Sequence, residues 1–387
     1  MNFSHPLWLV GFRPFFSLAM LSGMVLPGLW VLLLRGDLAL PETAVLGGVV
    51  WHAHEMLFGF AWAVLVGFLL TASKNWLSIR GWHGGTLALL VALWFADRLA
   101  IHCGGDWPRP LFWLLTLAGP ALAVGLLLHS LIRYREQDGF ERDNRYFIVA
   151  LPLFPLAKLL LLLPEQFSTG VALSLALYRL AFLLMLERTL PAFMQAAFKL
   201  KLPQRDGLDQ GIKLLALLLV LSPWLPAAVA AGLAALLGAL IVGRSLTWSP
   251  HLALSRLEVG IMLLGMLALA GNLLLQAAAW AWPESGMERL ATHLFTLGTL
   301  GAIAPAMFVR ICNGHTGRKV MFQPADRLVL WLMLAATGLR VLLPWIWPAG
   351  ALTAYTLTAA AWAAGFGLLS WRFIPLLLAP RVDGRAH

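Results

Sequence analysis

Cysteine is nearly missing: the 387 residues hold two, Cys103 and Cys312. Two thiols cannot build a cysteine-rich zinc or iron–sulfur site on one chain. There is no Cys-x-x-Cys-His, so any haem would have to be held non-covalently. Charge is scarce too. Asp, Glu, Lys and Arg make up 12% of the chain, against about a quarter in soluble proteins, which excludes an ordinary water-soluble globule. No phosphate-binding Gly-x-x-x-x-Gly-Lys loop is present, and no Gly-x-Ser-x-Gly elbow. Neither ATP-driven transport by this chain alone nor serine-hydrolase chemistry is therefore expected. Few acidic residues lie inside the apolar runs, which argues against a proton pump or cation antiporter. The short alternating segments of an outer-membrane barrel are absent. The start, MNFSHPLWLVGFRPFF, lacks a basic region and a small-residue cleavage pattern, so the first span is expected to act as its own insertion signal.

What is abundant is apolar length. Hydrophobic residues make up 60% of the chain and the mean hydropathy is +0.81. The expected architecture is all-α: a polytopic transmembrane helical bundle forming one integral membrane domain over residues 1–387. Twelve spans are predicted, at 12–34, 49–72, 85–102, 110–132, 146–163, 169–190, 208–224, 226–246, 255–280, 287–311, 326–347 and 350–379. The Ser222-Pro223-Trp224-Leu225-Pro226 break separates the seventh from the eighth.

The net charge of +10 does not point to nucleic acid, because the basic residues sit in short loops. Lys74 and Arg80; Arg133, Arg135, Arg142 and Arg145; Lys199, Lys201 and Arg205; Arg256; and Arg318, Lys319 and Arg327 follow the even-numbered spans. The loops after odd-numbered spans hold fewer, Arg35, Arg109 and Arg289. By the positive-inside rule both termini are expected in the cytoplasm. That topology puts His52, His54, Glu55, Met56 and His293 towards the outer face, and His83, His129, His251 and His315 towards the inner one. Cys103 and Cys312 are then expected on opposite faces, too far apart for a disulfide.

The densest set of potential ligands is Trp51-His52-Ala53-His54-Glu55-Met56-Leu57-Phe58-Gly59-Phe60. Imidazole, carboxylate and thioether groups bind metals, and ionisable groups at membrane depth are by default a site hypothesis. Two residues on a helix are about 200° apart, so His52 and His54 are expected to serve different partners. The spacing predicts His52, Glu55 and Met56 on one face and His54 with Phe58 on another. The plainer alternative is hydrogen bonding near the lipid headgroups. His293 is a lone histidine in an apolar run, either a packing histidine or a ligand from another helix. Gly298 and Gly301 beside it would let a helix or a flat macrocycle come close. Asn313-Gly314-His315-Thr316-Gly317-Arg318 can end a helix, or can offer His315 to a metal and Arg318 to an anion. Arg13 can snorkel at the start of span 1 or meet an anionic group. Glu258 is a candidate partner for a buried arginine.

Five segments follow one another along the chain: Gly11-Phe12-Arg13-Pro14-Phe15-Phe16; Trp-His-Ala-His-Glu-Met-Leu-Phe-Gly-Phe; Gly67-Phe68-Leu69-Leu70-Thr71-Ala72 with Asn75-Trp76; Arg188-Thr189-Leu190-Pro191-Ala192-Phe193; and the stretch from His293 to Gly-His-Thr-Gly-Arg. In these segments, and in their order over the whole chain, the sequence resembles the NnrS family. The resemblance implies a bacterial inner (cytoplasmic) membrane protein that carries haem and copper and is linked to denitrification and to nitric oxide stress. Carried over residue by residue, it makes His52, His54, His293 and His315 candidate metal ligands, alongside Glu55 and Met56. Arg13 and Arg318 become candidate anchors for a cofactor's acidic groups. One departure stands out: Glu258 lies where many relatives are expected to have histidine.

The expected function is therefore binding or detoxification of nitric oxide by non-covalent haem b and copper, with the bilayer as the route of entry. Nitric oxide reductase-like activity is one form this could take, and it would require a redox partner. The alternative is a haem or copper transporter or chaperone, with the same histidines as a transit site.

Overall fold

The computed structural model describes residues 4–385. Every regular element among them is helical. Twelve helices are long and apolar enough to cross a membrane. They are α1 (Phe12–Arg35), α2 (Gly48–Trp76), α3 (Gly85–Cys103), α4 (Arg109–Arg133), α5 (Glu141–Leu162), α6 (Pro164–Phe198), α7 (Asp206–Trp224), α8 (Ala227–Leu246), α9 (Leu257–Ala281), α10 (Met287–Gly314), α11 (Pro324–Ile346) and α12 (Pro348–Leu378). The protein is thus a multi-pass membrane protein, since helices are one of two ways to satisfy backbone polar groups in lipid. The break between α7 and α8 falls where Pro223 and Pro226 predict it. Leu219–Trp224 tightens into a 3₁₀ turn, and Leu225 is extended.

Burial separates the helices. In α2, α6 and α10, 89%, 83% and 78% of the apolar window is covered by protein, against 28–61% in the other nine. Two of these three covered helices carry candidate histidines. The same two depart from α geometry. Glu55–Ala61 in α2 and Leu294–Gly301 in α10 are π-helical, and each segment begins at the residue after a histidine, His54 or His293. π segments recur at functional sites because they widen the turn and re-aim side chains. Glycine is present inside both, at Gly59 and at Gly298 and Gly301.

The chain resolves into two compact units. Unit 1 comprises Met1–Val171, Phe308–Met321 and Phe366–His387. In it α1 packs tightly on α2: a Cβ at Gly67 would lie 2.8 Å from the Phe16 ring and 2.9 Å from Phe15 Cβ. The Phe12 amide donates to Thr71 Oγ1 at 2.9 Å. Unit 2 comprises Ala172–Met307 and Phe322–Gly365. Here α9 braces the π segment of α10. Thr299 donates to the Gly265 carbonyl and Asn272 to the Ala291 carbonyl, both without exposure to solvent. The close approach that Gly298 and Gly301 allow is filled by side chains. A Cβ there would meet Ala268 at 2.9 Å and the Trp362 ring at 2.5 Å. Cys103 and Cys312 are both free thiols.

Candidate functional site

Helix α2 starts at Gly48, after the extended Gly47, so both histidines of the His-x-His segment lie on regular helix. They point to different partners. The His52 ring stacks on Trp30 of α1, centroids 4.4 Å apart at 14°. His54 is fully buried, 6.1 Å from the Phe58 ring. Its Nδ1 lies 2.9 Å from Glu55 Oε1. Glu55 therefore groups with His54, not with His52 as helical spacing predicts. The switch to π geometry at Glu55 and a carboxylate that folds back on its neighbour account for the difference. Met56 is half-buried beside them.

Around this pair α3 and α5 supply charge. Asp97 Oδ2 meets Lys158 Nζ of α5 at 2.5 Å and Arg98 Nη2 at 3.0 Å. Arg98 Nε meets Glu55 Oε2 at 3.3 Å, and its guanidinium lies 4.3 Å over the Trp94 ring. Two carboxylates and two cations thus close a charge-balanced group in unit 1, with His54, Glu55, Asp97 and Lys158 at most 2% exposed. Three atoms in it lack hydrogen bonds, His54 Nε2, Asp97 Oδ1 and Arg98 Nη2, and the first two face each other across 3.7 Å. A buried imidazole nitrogen without a partner is costly. With Nδ1 held by a carboxylate, it has the form of a metal-binding histidine and its supporting acid. His102 cannot serve in this way. Its Nδ1–H donates to the Arg98 carbonyl, and its Nε2 accepts from the Trp51 indole at 3.0 Å.

The other candidate histidines lie elsewhere. His293, in unit 2, directs Nδ1 to the Arg289 carbonyl at 2.8 Å, and its Nε2 accepts from Arg340 Nη2 at 3.0 Å. Arg340 also rests 4.1 Å over the Tyr355 ring. A metal at His293 would have to displace Arg340. His315, in unit 1, packs its ring 5.5 Å from Phe12. Burial, with Lys74 and Arg381 near it, pushes its pKa down to about 4, so the ring is neutral near pH 7 and able to donate a lone pair. Arg13 is buried and donates from Nη1 to the Leu377 and Ala379 carbonyls at 2.7 Å. Arg318 Nη1 is buried without a hydrogen bond. Glu258 pairs at 3.7 Å with the half-exposed Arg327.

Residues 6–381 match the family model described as NnrS protein. The chain belongs to the NnrS family. The match runs from before α1 to beyond α12 and so takes in both His-Ala-His-Glu-Met and Gly-His-Thr-Gly-Arg. No curated protein matches the chain.

Haem and copper, the groups implied by the resemblance to NnrS proteins, can be tested against this geometry. Among the described residues no group of three or more His, Cys, Asp or Glu side chains is placed to hold a metal ion. The cavity lined by Trp62, Trp94, Asp97 and Arg98 measures about 10 Å³, room for about one water. His54 Nε2, orphaned while Nδ1 is held by Glu55, fits a single imidazole donor. The cluster as packed is neither a closed ligand shell nor a cradle for a macrocycle.

Asp97, Arg98 and Lys158 were not among the residues singled out in the sequence. The signal was there: an Asp-Arg pair and a lone lysine inside apolar runs are ionisable groups at membrane depth. Trp30 and Arg340 carry no such signal, since tryptophan and arginine near span ends are ordinary.

Proposed function

We propose that this NnrS-family protein binds haem and copper in a bacterial inner membrane and uses them to bind nitric oxide or to protect against its damage. The observation that carries this is the His54 imidazole: buried, held at Nδ1 by Glu55, and unpartnered at Nε2. His52, His293 and His315 are the further candidate ligands, with Glu55 and Met56 beside the first pair. When bound, b-type haem supplies an iron that takes a diatomic ligand, and copper supplies a second redox metal. The chain's part is orientation. Glu55 fixes the tautomer and direction of His54, Arg98 fixes Glu55, and the Asp97–Lys158 pair keeps the surroundings charge-balanced. Nitric oxide is small and apolar, so it reaches such a position through lipid without a polar entrance.

The test is metal analysis with an optical spectrum of the purified protein, alone and with nitric oxide, for wild type and for His52→Ala, His54→Ala, His293→Ala and His315→Ala. A stoichiometric Soret band that shifts with nitric oxide, together with bound metal that is lost in His54→Ala, supports the reading. The reading fails if no metal or haem co-purifies from replete cells and neither can be reconstituted. Weak, exchangeable metal with flux that depends on His52 or His54 would favour the transporter or chaperone instead.

A further inference from the structure

At one end of unit 1, away from the histidine cluster, cations gather, among them Arg13 and Arg318, the two candidate anchors for a cofactor's acidic groups. The start of α1 brings Arg13, the end of α2 brings Lys74, the turn after α10 brings Arg318, and the segment after α12 brings Arg381. Arg13 donates to the Leu377 and Ala379 carbonyls, just before Arg381 in the chain, and Arg381 donates to the His315 carbonyl, just before Arg318; Lys74 lies near Arg381. An ordinary positive-inside residue reaches into solvent and needs no partner. These do not behave that way. Arg13 is 1% exposed, the Arg381 side chain is 10% exposed, and Arg318 Nη1 is buried without a hydrogen bond.

Among the described residues one carboxylate reaches the group. Asp383 grips Arg381 with both oxygens, at 2.8 and 2.5 Å. The strap that carries it is fixed to the Gly-His-Thr-Gly-Arg turn. The Val382 amide donates to the Thr316 carbonyl at 3.1 Å, and Arg381 Nη1 donates to the His315 carbonyl at 2.9 Å. Gly317 has φ +81, and a Cβ there would lie 2.7 Å from Asp383 Cγ. The second glycine of the motif is thus required twice: by its left-handed backbone, and by the carboxylate packed against it. With that carboxylate held bidentately by Arg381, no other among the described residues pairs with Arg13, Lys74 or Arg318. Arg13 has carbonyl acceptors but no counter-charge among its hydrogen bonds.

We propose that Arg13, Lys74, Arg318 and Arg381 form a binding site for a phosphate-class anion, and that Asp383 is the chain's own competitor for it. Inorganic phosphate carries more charge and more acceptor oxygens than a single carboxylate, and a phosphodiester headgroup carries the same charge on two tetrahedrally placed oxygens, so either can bridge cations arriving from different helices. The site lies where four spans end, so the phosphate of an anionic lipid headgroup can reach it from the membrane surface. Inorganic phosphate offers the same chemistry from water. The inference does not depend on the metal reading, because its readout is anion binding.

The experiment uses the full-length protein in nanodiscs of phosphatidylcholine, alone or mixed with phosphatidylglycerol. Inorganic phosphate is titrated into the first set against chloride at matched ionic strength, and thermal unfolding and equilibrium binding are followed. Wild type is compared with Arg318→Gln and Asp383→Asn. The expected result is a stabilisation of wild type by phosphatidylglycerol, by phosphate, or by both, which is lost in Arg318→Gln. Asp383→Asn should bind roughly tenfold more tightly, equal to about 1.4 kcal/mol. Stabilisation by the lipid without added phosphate assigns the headgroup as the source, and stabilisation in pure phosphatidylcholine assigns the free ion. The proposal is overturned if wild type and Asp383→Asn respond to neither beyond the chloride control, or if Arg318→Gln responds as wild type does.

Discussion

Glu55 Oε1 holds His54 Nδ1 at 2.9 Å, although the two residues are adjacent on one helix. Neighbouring side chains on a regular helix diverge by about 100°, and here the meeting coincides with the first residue of a π segment. The contact fixes which imidazole nitrogen stays open. Glu55→Gln keeps the size of the side chain but weakens the acceptor and its tie to Arg98. If His54 binds metal, the loss of its supporting carboxylate should lower retention by about 10- to 100-fold. Metal content and the optical spectrum of purified Glu55→Gln against wild type would check this. Unchanged retention would remove His54 as a ligand.

The Asp97–Lys158 pair crosses from α3 to α5 with both partners buried. Lys158→Met leaves Asp97 to Arg98 alone in a low-dielectric site. Breaking a buried pair in this way costs about 3–5 kcal/mol. The double change Asp97→Asn with Lys158→Met should recover a large part of that loss, since it removes both charges. Thermal or chemical unfolding of the four proteins in one detergent gives the coupling energy. Additive losses would mean that the pair does not act as a unit.

What was legible in the sequence followed from local rules. Apolar length predicted twelve spans, and two prolines predicted the α7–α8 break. The angle between positions two apart predicted that His52 and His54 face different ways, as their rings on Trp30 and beside Glu55 do. What was not legible depends on distant partners. Asp97 and Lys158 are 61 residues apart, and Arg98 and Glu55 are 43 apart. No periodicity links such positions. The π segments were hidden for a different reason: they change the very spacing on which face assignments rest, and so Glu55 was grouped with the wrong histidine.

Close helix contact in unit 1 depends on Gly67. A methyl group there would overlap Phe15 and Phe16, so Gly67→Ala should destabilise by about 1–3 kcal/mol through overpacking. Gly125 in α4 is the control, because a Cβ at that position meets nothing within 4 Å. Gly125→Ala should be neutral, or stabilising by up to about 1 kcal/mol, through helix propensity. Unfolding of the two variants side by side separates the effects. Equal stability would mean that the α1–α2 contact can relax at no cost.

The strap after α12 should respond to acid. Hydrogen bonds from Arg381 hold the Asp383 carboxyl at about 2, below the usual carboxylate value of about 3.9. A depressed acid pKa means that the folded, docked strap favours the charged form. Its contribution is therefore fully present above pH about 3.9 and is lost as pH falls from there towards about 2. Hydrogen exchange of the Val382 amide, which donates to the Thr316 carbonyl, reports the docking directly. Protection should be flat above pH about 4, after correction for intrinsic exchange, and should decline below it. Asp383→Asn cannot grip Arg381 with two charged oxygens, so it should show weaker protection at neutral pH and no acid step. A wild-type profile without the step would mean that the Asp383–Arg381 pair does not hold the strap.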